Sequence, residues 1–198
     1  MTNLPFHLEQ AVLSGPHVRL EPYTPQHKDA LRQVLDCDAP AWDLFAMSGQ
    51  GAHFHSWWEM LTTRMAAGQW LAYAIRDLAS GELVGTSSFL NIKPERQCVE
   101  IGATFLHPGA RSGHANPASK LLMLDYAFAR GARRVELLTD ARNVRSQAAI
   151  AKLGAQREGV LRRDRVTWTG HVRDSVLYAV TDLDWPDVHA RLERRLAG

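Results

Sequence analysis

Residues 111 to 120, RSGHANPASK, join a strand-like run to a helix-like run. A short polar loop between a strand and a helix often binds an anion, because backbone N–H groups and the helix dipole point towards it. This loop has a single glycine, Gly113, where loops that bind phosphate usually have two or three. Asn116 and Pro117 would also make an ordinary helix start. The sequence therefore supports either an anion site or a plain turn.

A second candidate is Glu100, in the strand-like run CVEIGATFL. Simple alternation puts one set of residues on the face of Glu100 and another set on the opposite face: Cys98, Gly102 and Thr104 against Val99, Ile101 and Phe105. A carboxylate on a central strand is costly to bury unless it faces a cleft or a charged partner. Glu100 is therefore either a general base in a cleft or a structural residue paired with an arginine.

The run NVRSQAAIAKLG predicts a short helix with Asn143 as its N-cap and Ser146 at its third position. Both side chains then lie at the positive end of the helix, where they could contact a ligand or simply cap the first turn. The histidines at 53, 55, 107 and 114 have no metal-ligand spacing, and we predict no metal site.

Hydrophobic periodicity and turn residues predict the elements that must position these side chains. The predicted strands are 17–23, 69–77, 82–92, 98–106, 133–140, 155–163 and 171–180, and the predicted helices are 25–36, 56–68, 115–131, 143–154 and 184–196. This order predicts an α+β fold with a central mixed, mostly antiparallel sheet and helices on both faces. We expect one domain over residues 1–198, with a core at about 17–183 followed by the C-terminal helix.

The second half of the chain resembles the GNAT superfamily of acyl-CoA-dependent N-acyltransferases, and within it the RimJ/RimL-type branch. The resemblance rests on VEIGATFLHP, NPASKLLMLDYAF, RRVELLTDARNVRSQAAIAKLGAQREGVLRR and RDSVLYAV followed by DWP, and more loosely on HVRLEPYTPQH and LVGTSSF. It implies the GNAT fold, acetyl-CoA as cosubstrate and direct transfer to an amine in a ternary complex.

In this family a Q/R-x-x-G-x-G/A loop wraps the CoA pyrophosphate, and residues 111–116 align with it. Arg111 matches the first position, whereas His114 and Asn116 stand where glycines are usual. Gly113 could supply the backbone freedom one residue early, and His114 could itself donate to a phosphate. The resemblance thus implies a cofactor site formed by Phe105, Leu106, Arg111, Ser112, Gly113, His114, Ala115, Asn116, Asn143 and Ser146.

The same resemblance implies catalytic roles. Glu100 would act as the base, directly or through water. Asn143 and Ser146 would lie beside the pantetheine arm, where the Ser146 hydroxyl could hydrogen-bond the leaving thiolate. Backbone amides near Phe105 and Leu106 would stabilise the oxyanion. In this fold the region that holds Trp42 and Trp57 lines the acceptor entrance, so these two residues are candidates for acceptor binding.

Composition is that of a globular protein, with 198 residues, 45% of them hydrophobic and 22% charged. No apolar run is long enough to span a membrane, and the first residues lack the features of a secretory signal. Cys37 and Cys98 are expected to stay reduced. We therefore expect a cytoplasmic protein.

The net charge of +2 is uneven, because the segment 130–173 is strongly basic. Such a face is either a solvated surface or a surface for an anion, but no RNA-binding signature accompanies it, and nucleic acid is a minor alternative. We expect the acceptor to be a protein or peptide N-terminus, with a small-molecule amine as second choice. A CoA-binding protein with weak catalysis is a further alternative. Edge strands and the amphipathic C-terminal helix favour a homodimer.

Overall fold

The computed structural model describes residues 6–197. Eight strands form one sheet: β1 (Leu13–Ser14), β2 (Val18–Pro22), β3 (Leu71–Asp77), β4 (Leu83–Lys93), β5 (Cys98–Leu106), β6 (Arg134–Asp140), β7 (Gln156–Val166) and β8 (Val172–Thr181). The helices are α1 (Lys28–Asp36), α2 (Phe54–Ala66), α3 (Ala115–Ala129), α4 (Val144–Leu153) and α5 (Trp185–Ala197). Short 3-10 turns at Ala39–Leu44 and Gly51–His53 connect α1 to α2.

The strand order is β1-β2-β3-β4-β5-β6-β8-β7, and every neighbouring pair is antiparallel except β5 and β6. The parallel pair is joined for only three residues, from Cys98 opposite Arg134 to Glu100 opposite Glu136. Beyond Glu100 the described strands form no further β5–β6 pairs. The two central strands therefore separate halfway along the sheet and open a gap between them.

A β-bulge lies in β5 at the start of this gap. Thr86 pairs with Phe105 and Ser88 pairs with Gly102, so one residue of β4 faces two residues of β5. Ala103 has a φ of 48°, a left-handed conformation that reverses the alternation of the strand. The sequence-based prediction that Thr104 shares the face of Glu100 is therefore wrong, because simple alternation does not survive the extra residue.

Two apolar cores cover the two faces of the sheet. On the α3 face, helices α3, α4 and α5 pack through side chains such as Met123, Ile150 and Leu192. On the α1 face, α1, α2 and the 39–44 turn pack through Leu31 and Trp42. Helices on both sides bury the central strands, whereas the edge strand β7 is largely exposed. The gap between β5 and β6 connects the two faces.

The predicted fold class is confirmed, and most predicted elements agree with the structure within two or three residues. The differences lie at element ends. The third helix begins at Ala115, not after an Asn116 cap, and His114 occupies the N-cap position. The second helix begins two residues earlier than expected, at Phe54, and β1 was not predicted. A single capping residue and a two-residue strand give little periodic signal, because a hydrophobic period is recognisable only over several turns or alternations.

Candidate active site

A cavity of about 640 Å³ occupies the gap between β5 and β6 and reaches both faces of the sheet. Of the residues predicted for the site, eleven line this cavity: Trp42, Trp57, Glu100, Phe105, Leu106, Arg111, Ser112, Gly113, Asn116, Asn143 and Ser146. His114 and Ala115 do not line it. The tertiary structure therefore brings together residues that lie up to about a hundred positions apart in the chain.

Glu100 lies in the cavity on the α1 face with only 4% of its surface exposed. Its Oε2 accepts a hydrogen bond of 2.6 Å from Nδ2 of Asn91. Burial raises the pKa of Glu100, and the nearby charges of Arg165 and Arg173 oppose that shift. No arginine among residues 6–197 forms an ion pair with Glu100 within 4.0 Å. A buried carboxylate with a raised pKa and an open cavity beside it suits proton abstraction.

The edge of β5 beyond Glu100 offers backbone donors to the cavity. The N–H of His107 donates to the carbonyl of Val84 on the β4 side. Successive amides of a strand point to opposite edges, so the N–H of Leu106 points to the β6 side, where the gap lies. A donor at this position can bind a carbonyl oxygen or stabilise an oxyanion.

Helix α4 presents its N-terminus to the cavity from the α3 face. Asn143 is the N-cap, as predicted, and its Oδ1 accepts a hydrogen bond of 3.0 Å from the N–H of Ser146. Ser146 stands at the third helical position and lines the cavity. Its hydroxyl makes no hydrogen bond to any described residue. Capping and exposure to a ligand are therefore compatible here, because the cap uses the Ser146 backbone and leaves its hydroxyl free.

The loop before α3 places backbone amides, and only some of its side chains, at the cavity. Ser112 and Gly113 line the cavity, and Ser112 has a φ of 66°. The amides at the start of α3 have no intrahelical acceptor, and Pro117 at the third position lacks an N–H that would have been free in any case. The helix start thus presents its positive end to the cavity without losing a helical hydrogen bond.

The side chain of Arg111 is held by protein groups. Its Nη1 lies 2.5 Å from Oδ2 of Asp38, its Nε donates to the carbonyl of Leu106 at 3.0 Å, and the guanidinium lies over the ring of Phe105. Asp38 caps the 39–44 turn on the α1 face. Arg111 therefore ties the loop before α3 to the other wall of the cavity.

His114 points away from the cavity. Its Nε2 lies 2.6 Å from Oδ2 of Asp77, and its ring packs against His17. The prediction that the His114 side chain could donate to a phosphate in the cavity is wrong for this conformation. The helix begins at Ala115, two residues before the Pro117 start that an Asn116 cap would give. His114 is therefore the N-cap, and its side chain points to the far side of the loop.

Three basic residues at the cavity were missed by the sequence analysis. Arg145 and Lys152 lie on α4 and Arg195 lies on α5, and all three line the cavity from the α3 face. No carboxylate among residues 6–197 lies within 4.0 Å of their charged groups. The general basic excess of the segment was visible in the sequence, but only the packing of α5 against α4 brings Arg195 beside the other two.

The α1 face of the cavity is aromatic. Trp42 is 2% exposed, stacks on Phe105 at 4.9 Å between ring centroids, and donates through Nε1 to the carbonyl of Leu35. Trp57 contacts Trp42 edge-on. Other apolar and aromatic residues of this wall include Phe45, Met47, Met60 and Trp70. Both predicted acceptor-side tryptophans are largely buried core residues that also line the cavity.

Two arginines of the last strands belong to the polar part of this face. Arg173 is buried; it donates through Nε to Ser175 and through Nη1 to the carbonyl of Leu44. Arg165 pairs with Asp164 at 2.6 Å. Their positions on the last two strands gave no periodic signal for function, so sequence analysis did not select them.

Tyr178 is a buried member of the α3-face core and does not line the cavity. Cys37 and Cys98 are both free. Within residues 6–197, no cluster of three or more His, Cys, Asp or Glu side chains could hold a metal ion. None of the helices in the described part of the chain has the length and apolar character needed to cross a membrane.

The family description "Acetyltransferase (GNAT) domain" matches residues 17–156, which is more than half of the chain. The chain belongs to the GNAT acetyltransferase family. It is therefore an acyl-CoA-dependent N-acetyltransferase, and acetyl-CoA is the cosubstrate of this family.

Solved structures agree with this assignment. A protein from T. thermophilus is 34% identical, with 96% of this chain and 98% of that chain covered at a TM-score of 0.85. A GCN5-related N-acetyltransferase from Brucella melitensis is 26% identical, with 96% and 86% covered at a TM-score of 0.86.

RimJ from Mycobacterium smegmatis, solved in complex with CoA-disulfide, shares the fold at 23% identity, with 93% and 94% covered at a TM-score of 0.79. RimJ-type enzymes are thus among the structural relatives that the sequence suggested. No curated protein matches the chain.

Proposed function

We propose that this GNAT enzyme transfers an acetyl group from acetyl-CoA directly to the primary amine of an acceptor that carries one amine. The preferred acceptor is the N-terminus of a protein or peptide. One observation carries the proposal: the cavity crosses the sheet, with a buried carboxylate on the α1 face and two helix N-termini on the α3 face. Donor and acceptor could therefore enter from opposite faces and meet at the gap. Such an arrangement supports direct transfer in a ternary complex.

Glu100 is the proposed base. An α-amine has a pKa of about 8 and is mostly protonated at neutral pH, so it must lose a proton before it attacks. The raised pKa of Glu100 brings its carboxylate closer to the pH at which it must accept that proton. Asn91 holds one carboxylate oxygen in place and leaves the other available to the acceptor or to a water.

The proposed donors for the thioester are the backbone N–H groups of β5 beside the bulge, chiefly that of Leu106. They are fixed by the pairing of β5 with β4, so they need no reorganisation as negative charge develops on the carbonyl oxygen. Ser146 is proposed to hydrogen-bond the sulfur with its free hydroxyl.

The phosphates of acetyl-CoA are proposed to bind on the α3 face. The amides of the 112–116 segment and the start of α3 suit the pyrophosphate. Arg145, Lys152 and Arg195 suit the remaining phosphate charge, because they line the cavity mouth without carboxylate partners. In this interpretation Arg111 orders the loop through Asp38 and contributes less to the phosphates than its place in the motif implies.

The charges of the α1 face favour an acceptor with one amine over a polyamine or an aminoglycoside. Arg64, Arg165 and Arg173 line this part of the cavity together with Glu100 and Asp140. Several positive charges on one acceptor would face these arginines, whereas a peptide N-terminus brings only one charge. The aromatic wall suits an uncharged side chain beside the reacting amine.

The test is a thiol-release screen. Acetyl-CoA and succinyl-CoA are each offered with peptides of varied first residue, with polyamines and with aminoglycosides. We expect acetyl-CoA with a neutral first residue to give the fastest release, and Glu100→Gln to suppress it. Release with polyamines but not with peptides would overturn the acceptor assignment. CoA binding without release for any amine would favour a catalytically weak CoA-binding protein.

A further inference from the structure

Lys120 is a buried lysine that lines the cavity, and the proposed mechanism leaves it without a role. It lies on α3 with only 4% of its surface exposed. No carboxylate among residues 6–197 lies within 4.0 Å of its amine. An unpaired buried ammonium costs stability, and an apolar side chain in its place would avoid that cost. Its presence beside the cavity therefore calls for a chemical reason.

The amine of Lys120 is held by two hydroxyls. Its Nζ lies 2.9 Å from Oγ of Ser87 on β4 and 2.7 Å from Oγ1 of Thr104 on β5, and the two hydroxyl oxygens are 2.8 Å apart. A protonated lysine can only donate, so both hydroxyls accept from it. Either hydroxyl could donate across the contact between Ser87 and Thr104. Ser87 is fully buried and its hydroxyl has no other acceptor among residues 6–197, so we assign its proton to Thr104. The O–H of Thr104 has the carbonyl of Gly102 as its one remaining acceptor among residues 6–197, at 3.5 Å, the long end of the hydrogen-bond range. Because Thr104 lines the cavity, a ligand there can accept this proton instead.

Thr104 occupies this position because of the bulge at Ala103. The reversed alternation turns Thr104 to the α3 face, the face on which Ser146 and the helix N-termini lie. Glu100 lies on the other face. The Lys120, Ser87 and Thr104 cluster is thus on the side of the gap proposed for acetyl-CoA, away from the acceptor base.

We propose that Lys120, acting through the hydroxyl of Thr104, supplies the proton that the leaving CoA thiolate takes up. This inference rests on the proposed function. As the carbon–sulfur bond breaks, the sulfur takes the Thr104 hydroxyl proton and becomes a thiol. Thr104 regains a proton from the Lys120 ammonium, which becomes a neutral amine and is recharged from solvent after the products leave. Ser146 orients the sulfur, but has no comparable proton source behind it.

The surroundings of Lys120 suit a proton donor. Burial alone lowers the pKa of Lys120 to about 7, below the value of ~8.5 for a free thiol, so transfer to the thiolate is downhill. Tyr73 on β3 lies opposite Ser87 in the register and is uncharged. The other charged residues that line the same cavity are Glu100, Asp140, Arg64, Arg111, Arg145, Lys152, Arg165, Arg173 and Arg195. None of them is a cause of the lowered pKa.

The experiment measures the thiol of bound CoA and the pH dependence of turnover. Ultraviolet absorbance of the thiolate gives the thiol pKa of CoA in complex with the full chain. We expect the wild type to lower it relative to free CoA, by less than one unit because the Lys120 ammonium itself titrates at about 7, and Lys120→Met to abolish the shift. Lys120→Met and Thr104→Val should each lower kcat about 100-fold and remove the alkaline limb of its pH profile.

Ser88→Ala is the matched control. Ser88 lies next to Ser87 on the same strand and is equally buried, but its hydroxyl makes no hydrogen bond and it does not line the cavity. We expect Ser88→Ala to leave the thiol pKa and the pH profile unchanged, whereas Ser87→Ala should raise the thiol pKa. Thr104→Val keeps Lys120 in place and decides the question if Lys120→Met does not fold.

The outcomes separate the two proposals. If CoA binds and is turned over, but Thr104→Val and Lys120→Met leave both the thiol pKa and the alkaline limb unchanged, Lys120 is not the proton source. If CoA does not bind to the wild type, or no amine releases thiol, the proposed acetyl transfer fails, whatever the variants do.

Discussion

The two faces of the cavity bind their proposed ligands by different means. The α3 face offers backbone amides, two helix N-termini and the basic side chains at the mouth, all suited to a constant anionic cosubstrate. The α1 face offers a buried carboxylate, arginines and an aromatic wall formed largely by the α1–α2 connection. Binding by backbone amides tolerates substitution of the side chains around them. Binding by side chains does not, so substitutions on the α1 face change the acceptor specificity.

The largest expected effect is on the α1 face. Glu100→Gln should lower kcat/KM about 100-fold or more near neutral pH, because the amine loses its base. The deficit relative to the wild type at the same pH should shrink in alkaline solution, where the acceptor amine deprotonates by itself. The wild-type acid limb should lie above the usual carboxylate range, because burial raises the pKa of Glu100. A uniform loss at every pH would instead make Glu100 an acceptor anchor or a structural residue.

On the α3 face, Ser146→Ala should lower kcat about tenfold and leave the Kd for acetyl-CoA nearly unchanged. The hydroxyl hydrogen-bonds only the ligand in this proposal, while the backbone N–H of Ser146 keeps the Asn143 cap intact. The loss is at the low end for proton-transfer groups because a water can replace a hydroxyl. Steady-state kinetics with isothermal titration of acetyl-CoA separates the two quantities. An unchanged kcat removes Ser146 from the chemistry.

Charge at the mouth should affect binding alone. Lys152→Glu should raise the Kd for CoA about tenfold, or about 1.4 kcal/mol, and less at high salt because the side chain is exposed. Dephosphorylated pantetheine should bind equally to both proteins. Arg157→Glu is the control, since Arg157 is exposed but lies outside the cavity. Equal losses for the two variants would mean that only the overall charge matters.

The smallest expected effect is on stability, and it concerns Lys120. Burial lowers the pKa of Lys120 to about 7, against ~10.4 in an unfolded chain. The unfolded chain therefore binds more protons between these values, and stability rises with pH across that window. Lys120→Met should raise Tm by a few degrees, most below about pH 7, with the gain shrinking towards about pH 10. Calorimetry across pH measures it. A lower Tm at every pH would mean that packing around the amine dominates.

The two faces also differ in how much of each could be predicted from the sequence. Several residues of the α3 face lie in short local patterns, such as the Asn143 cap followed by Ser146. Such a pattern determines the backbone conformation of its own helix start, and so the relative positions of its side chains. Glu100 was found for the same reason, because a lone carboxylate in an apolar strand is conspicuous. The fold class followed from the order of strands and helices, since each element's periodicity is local.

Tertiary structure alone decided the rest. The bulge at Ala103 sends Thr104 to the α3 face, which alternation could not foresee, because a bulge depends on how two strands pair. Lys120 lies three and four residues before Met123 and Leu124, on the buried side of α3, but only the strands beneath show that two hydroxyls receive it. Arg111 and His114 were assigned from a motif, yet distant carboxylates, Asp38 and Asp77, determine where these side chains point. Sequence determines local geometry because hydrogen bonds within an element are near in the chain, whereas the partners of a side chain are set by packing between distant elements.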